Sequence, residues 1–152
     1  MAVIRMDVAG PELTTFGAVL RFAIELEAAS AAFYDAAAHT FAKDGPGTLV
    51  RELAAQHANR RHLLERTKQM KLNEMVLEPI TGLEGARYRF EATPAPKDDL
   101  LSRAAALEAV AERFYGDSSI VAKALLTEAA RTFRKLGEEN GRNAARLRAV
   151  RA

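Results

Sequence analysis

The sequence predicts an all-α protein, and three observations lead to that prediction. Apolar residues recur at the three- and four-residue spacing of a helix face in both halves of the chain. Alanine and other strong helix formers dominate these stretches, and no run alternates apolar with polar residues as a half-buried strand does. With 152 residues, 49% of them apolar, residues 1–152 are predicted to form a single domain with a substantial core.

Four helices and one long connection account for the chain. The predicted helices cover about residues 14–41, 48–70, 98–122 and 127–150, and the connection covers about 71–97. Alanine is absent from residues 59–85, and prolines occur at positions 79, 94 and 96. A connection of this length is typical of a crossover between non-adjacent helices. Residues 77–90 are predicted to include a short strand or turn.

Capping residues mark the predicted helix starts. Thr48 follows Gly45-Pro46-Gly47 and suits the N-cap of the second helix. Asp98 or Asp99 suits the N-cap of the third helix, and Thr127 suits the N-cap of the fourth helix.

The two halves of the chain resemble each other. Residues 26–34 (LEAASAAFY) align without gaps on residues 107–115 (LEAVAERFY), so the sequence predicts a duplicated helical hairpin. This alignment decides one ambiguous segment. Residues 116–119 (GDSS) have turn-like composition, but their counterparts 35–38 (DAAA) are helical in type. Residues 116–119 are therefore predicted to continue the third helix.

Each predicted core stripe is apolar at its ends and polar in its middle. The polar residues are Glu27 and Glu108 on the first and third helices, His57 and Arg60 on the second, and Asn140 and Asn143 on the fourth, with Tyr34 and Tyr115 two turns beyond the glutamates. In an antiparallel bundle these residues meet at one level. Charged groups there must be paired, hydrogen-bonded or bound to a metal.

These positions resemble the rubrerythrin branch of the ferritin-like superfamily, through Ala23-x3-Glu27-x5-Phe33-Tyr34 and its repeat around Glu108. The resemblance implies an up-down four-helix bundle made of two similar hairpins joined by a long crossover, and it implies a homodimer. Such families hold two irons with one Glu from each of two helices and Glu-x-x-His from each of the other two.

The ligand set of that family is incomplete in this sequence. Glu27 and Glu108 match the single glutamates, but the two Glu-x-x-His positions read HANR at 57–60 and NGRN at 140–143. An intact di-iron centre is therefore not expected. Without cysteine, the chain also lacks the paired-cysteine motifs of a rubredoxin-like module.

Two hypotheses for the polar level follow. In the first, Arg60 and protonated His57 balance Glu27 and Glu108, and no cofactor is bound. Asn140 and Asn143 satisfy the remaining hydrogen-bonding groups. The protein is then a non-catalytic binding or interaction protein with an unidentified protein partner or small ligand.

In the alternative hypothesis, Glu27, His57 and Glu108 hold one non-haem Fe, Mn or Zn ion in an oxidoreductase. The positive charge of Arg60, one turn from His57, opposes this alternative. The sequence alone leaves open whether the protein is an enzyme.

Several partner classes are not expected. The net charge is only +2, and the basic fourth helix has no interleaved aromatic residues for stacking on bases, so nucleic acid is not an expected partner. No uninterrupted apolar run approaches the roughly 18 residues of a membrane span, and no secretory signal is evident, so a cytoplasmic location is expected.

Overall fold

The structure is a computed structural model that describes residues 4–6, 12–42, 45–70, 79–92, 95–122 and 127–151. Four helices form most of it: α1 (Phe16–Ala38), α2 (Pro46–Met70), α3 (Lys97–Ala122) and α4 (Thr127–Arg151). Two short strands, β1 (Ile4–Met6) and β2 (Phe90–Ala92), and a 3-10 turn (Gly85–Tyr88) complete the described elements. The all-α prediction is confirmed. None of the described helices is long and apolar enough to cross a membrane.

The first hairpin differs from the prediction at its helix starts and at the end of α1, which is Ala38 and not residue 41. The Thr15 hydroxyl accepts a hydrogen bond from the Ala18 N–H at 3.1 Å and caps α1. The prediction that Thr48 caps α2 is wrong, because α2 begins two residues earlier at Pro46. Gly45 turns the chain with a φ of 60°, and the fixed φ of proline suits the first position of a helix.

The second hairpin follows its predicted bounds closely. Since α3 begins at Lys97, Asp98 and Asp99 lie in its first turn and are not its caps. There their negative charges face the positive end of the helix dipole. Helix α4 begins at Thr127, which is therefore its first residue and not its cap as predicted, and residues 116–119 are helical as predicted.

Arg51 of α2 forms hydrogen bonds with the C-terminal end of α1. Its guanidinium donates to the carbonyl oxygens of Ala38 and Ala42, each at 3.0 Å, and of Phe41 at 3.1 Å. These are carbonyls at or just beyond the helix end, where no intrahelical N–H is available to them. The backbone is so close here that a Cβ added at Gly47 would overlap the Ala42 carbonyl oxygen.

Helix α1 packs along α2, and α3 packs along α4, while α1 meets α3 and α2 meets α4 over shorter stretches. Glycines bring α4 close to α3. A Cβ added at Gly137 would lie 3.3 Å from the Tyr115 Cβ and 3.4 Å from the Glu112 carbonyl oxygen. This close approach lets short asparagine side chains of α4 reach the middle of the structure.

The described part of the crossover packs on α1 and α3. Strand β2 pairs antiparallel with β1, with Ile4 opposite Ala92, and the Tyr88 ring packs 5.4 Å from that of Phe114 between centroids. The Tyr88 hydroxyl donates to Asp117 Oδ2 at 2.7 Å. The strand or turn predicted within residues 77–90 is observed at its C-terminal end, and residues 71–78 lie outside the described residues.

Candidate functional site

A buried group of polar side chains occupies the middle of the four helices, at the level that the sequence predicts. We call it the polar layer, and it consists of Glu27 of α1, His57 and Arg60 of α2, Glu108 and Tyr115 of α3, and Asn140 and Asn143 of α4. None of these residues is more than 4% exposed. Groups buried this deeply need partners within the protein, because water cannot solvate them.

The imidazole of His57 joins three helices. Its Nδ1 lies 2.5 Å from Glu27 Oε1, and its Nε2 lies 2.9 Å from Glu108 Oε2. The Tyr34 ring stacks almost parallel on the imidazole, at 5.4 Å between centroids. His57 therefore sits between the two carboxylates and gives each of them a different ring nitrogen.

Both carboxylates stabilise the charged form of His57. Burial alone lowers the pKa of His57, but the negative charges of Glu27 and Glu108 outweigh burial and raise the pKa to about 9. At neutral pH the ring is an imidazolium that donates through both nitrogens.

Arg60 supplies a second buried cation. Its Nη2 lies 3.0 Å from Glu27 Oε2 and donates to Asn140 Oδ1 at 2.7 Å, while its Nη1 donates to Glu139 Oε1 at 3.2 Å. The guanidinium also lies over the Tyr115 ring, 5.3 Å from its centroid. Burial alone lowers the pKa of Arg60, but Glu27 and the other negative groups raise it above its ordinary value.

Each oxygen of the two buried carboxylates accepts from the protein. Besides His57 and Arg60, Glu27 accepts from the Tyr115 hydroxyl, which lies 2.5 Å from Oε2. Glu108 Oε1 accepts from the Nδ2 atoms of Asn143, at 2.7 Å, and Asn140, at 3.3 Å. Burial alone raises the pKa of Glu27, but Arg60 and His57 lower it below its ordinary value.

Tyr34 joins the polar layer only in part. Its ring contacts His57, but its hydroxyl has no hydrogen-bond partner among the described residues. Burial and the nearby charge of Glu108 raise the pKa of Tyr34 well above its ordinary value. Arg60 and Tyr115 thus contact Glu27, and Asn140 and Asn143 contact Glu108, whereas Tyr34 contributes a stacked ring.

Two contacts of the layer are not singled out by the sequence pattern. Glu139, whose side chain is 35% exposed, pairs with Arg60, and Gln56 Oε1 accepts from Asn143 Nδ2 at 2.6 Å. Both residues lie beside the predicted core stripes. Helical spacing therefore classes them as boundary positions.

The predicted metal ligands Glu27, His57 and Glu108 are in contact, but their arrangement does not fit a metal ion. A metal needs one ring nitrogen and the carboxylate oxygens to converge on one point. Here the imidazole separates the carboxylates, and the Arg60 cation lies against Glu27. Among the described residues, no group of three or more His, Cys, Asp and Glu side chains is arranged to hold a metal ion.

Comparisons with known proteins identify no relative of this chain. No protein-family model matches the chain, and neither the curated proteins nor the solved structures provide a significant match. The functional interpretation therefore depends on the geometry of the polar layer.

Proposed function

We propose that the chain is a ferritin-like four-helix bundle in which a salt-bridged layer replaces the di-iron centre, and that it acts as a non-catalytic binding or interaction protein. One observation carries the proposal. All four carboxylate oxygens of Glu27 and Glu108 accept from protein donors. A metal ion would have to displace these donors before it could bind.

The charges of the layer support the same proposal. The two buried carboxylates are balanced by the Arg60 guanidinium and the His57 imidazolium, so the layer is neutral without a metal ion. Buried carboxylates are costly unless they are paired and hydrogen-bonded. The observed contacts meet both conditions.

The distribution of residues over the helices supports the ferritin-like part of the proposal. Glu27 and Glu108 are equivalent in the repeat, and the two positions of the Glu-x-x-His motif are buried on both α2 and α4. Helix α2 supplies two cations at those positions, and α4 supplies two amides. The homodimer implied by the resemblance is part of this proposal.

Metal content tests the non-catalytic part. The protein, purified without a histidine tag, is incubated anaerobically with Fe(II), Mn(II) or Zn(II), desalted and analysed for bound metal. We expect no retained metal. Retention near one metal per chain, lost in the variant Glu27→Ala/Glu108→Ala, would instead support the mononuclear oxidoreductase.

Restoring the missing ligands tests the ferritin-like part. The variant His57→Glu/Arg60→His/Asn140→Glu/Asn143→His recreates Glu-x-x-His on α2 and α4, and we expect it to retain about two Fe(II) or Mn(II) ions per chain. Added Mn(II) should also raise its melting temperature, because the metal neutralises four buried carboxylates. A control that also carries Glu27→Ala should lose both effects. A helical variant that retains no metal would contradict the ferritin-like register.

A further inference from the structure

The helices differ sharply in charge. Helices α2 and α4 together carry twelve Lys and Arg residues and five Asp and Glu residues. Helices α1 and α3 together carry four Lys and Arg residues and eight Asp and Glu residues. The whole chain has a net charge of only +2. The modest overall charge thus conceals one strongly basic pair of helices.

The basic helices lie side by side in antiparallel register. Three contacts link them at regular intervals: Glu52 with Arg146, Gln56 with Asn143, and Arg60 with Glu139. The described strands and 3-10 turn pack on α1 and α3 and make no contact with α2 or α4. The described residues therefore leave the outer side of this helix pair uncovered, and we call it the α2–α4 face.

The cations of this face outnumber its anions. Arg66, Lys135 and Arg142 are exposed and have no ion-pair partner among the described residues. By contrast, four of the five carboxylates on α2 and α4 are in ion pairs, namely Glu52, Glu65, Glu138 and Glu139. Positive charge is therefore available to a partner, and negative charge is mostly neutralised.

Apolar surface accompanies these cations. Leu63 of α2 is 38% exposed and Val150 of α4 is 40% exposed, and they are two of the three large apolar side chains exposed among the described residues. Val150, Ala149 and Leu49 line a groove of about 360 Å³ between the helices. Leu63 lies fourteen residues beyond Leu49 on the same helix, which is about 21 Å at the helical rise.

We propose that the α2–α4 face is the docking surface for an acidic amphipathic helix of a protein partner, an inference that rests on the proposed interaction function. The unpaired cations attract the acidic residues of the partner helix. The groove lined by Leu49, Ala149 and Val150 and the exposed Leu63 contact apolar side chains of that helix that lie about four turns apart. The described parts of α2 and α4 expose no Phe, Tyr or Trp ring, since Phe133 is buried, so these large rings are not available for stacking on nucleic-acid bases.

Fluorescence anisotropy with defined probes tests the proposal. The first probe is a labelled helical peptide of about 18 residues, rich in Glu and Ala, with leucines about four turns apart on one face. The second has the same composition in scrambled order, and the third is a DNA duplex of about 20 base pairs. At about 0.15 M salt we expect the patterned peptide to bind about tenfold more tightly than the scrambled one and more tightly than DNA.

Matched variants locate the binding surface. Lys135→Glu/Arg142→Glu should weaken binding of the patterned peptide by about tenfold or more, whereas Arg21→Glu/Arg89→Glu, with the same charge change on other exposed positions, should weaken it far less. Leu63→Ser should reduce the preference for the patterned peptide over the scrambled one.

Three outcomes overturn the docking surface: no peptide binding, equal binding of the two peptides, or tighter binding of DNA. The metal measurement distinguishes this failure from failure of the proposed function. Retained metal contradicts the non-catalytic proposal whatever the peptides do, while absent peptide binding in a metal-free protein overturns only the α2–α4 face.

Discussion

Replacement of His57 by glutamine should remove a defined part of the pH dependence of stability. The imidazolium donates to Glu27 and Glu108, and these carboxylates raise its pKa from 6.5 to about 9 on folding. A group whose pKa is raised in the folded state stabilises that state below its unfolded pKa. The stabilisation is lost as the pH rises through the folded pKa.

The magnitude follows from the size of the shift. Each pKa unit corresponds to about 1.4 kcal/mol, so the His57 charge contributes about 3 kcal/mol at pH 6 and almost nothing at pH 9.5. The free energy of unfolding of the wild-type protein should therefore fall by about 3 kcal/mol over this interval. His57→Gln should be less stable at pH 6 and should show little of this fall.

Urea denaturation at pH 6, 7.5 and 9.5 measures the effect. His62→Gln is the matched control, because His62 is an exposed residue of the same helix and should keep the wild-type dependence. A wild-type free energy of unfolding that stays constant from pH 6 to 9.5 would refute the charged imidazolium. The same conclusion would follow if His57→Gln retained the full dependence.

Further substitutions test individual contacts by chemical denaturation. Arg60→Met should cost about 3–5 kcal/mol because it leaves the two buried carboxylates with one cation, His57, between them. Arg61→Met breaks an exposed ion pair and should cost less than about 1 kcal/mol. Gly47→Ala should cost about 1–3 kcal/mol through overlap with the Ala42 carbonyl. Gly116→Ala, with no atom within 4 Å of the added Cβ, should stabilise α3 by up to about 1 kcal/mol. Equal effects of Arg60→Met and Arg61→Met, or of Gly47→Ala and Gly116→Ala, would contradict the observed packing.

Helical periodicity explains why so much of the polar layer can be predicted. Residues three or four apart share a helix face, so the apolar positions around Glu27, His57, Glu108 and Asn140 already place these polar side chains in the core. The structure confirms their burial. The internal repeat similarly predicts the helical course of residues 116–119, against their turn-like composition.

Other features depend on residues far apart in the sequence. Pairing of β1 with β2 joins residues 4–6 to residues 90–92, and neither segment has a local pattern that names its partner. The contact between Arg60 and Glu139 is equally non-local and involves a boundary position. Helix starts differ for a local reason: at Pro46, the backbone preference of proline prevails over the capping ability of Thr48.

The sequence by itself determined the four helices and their buried faces, because these properties follow from local periodicity. Only the tertiary structure decided how the polar atoms pair. The rotation and register of α2 against α1 and α4 place each His57 nitrogen against a different carboxylate. With a different rotation or register of α2, Glu27, His57 and Glu108 could converge on one metal ion. The salt-bridged and the metal-binding arrangements differ by only a few ångströms in side-chain position.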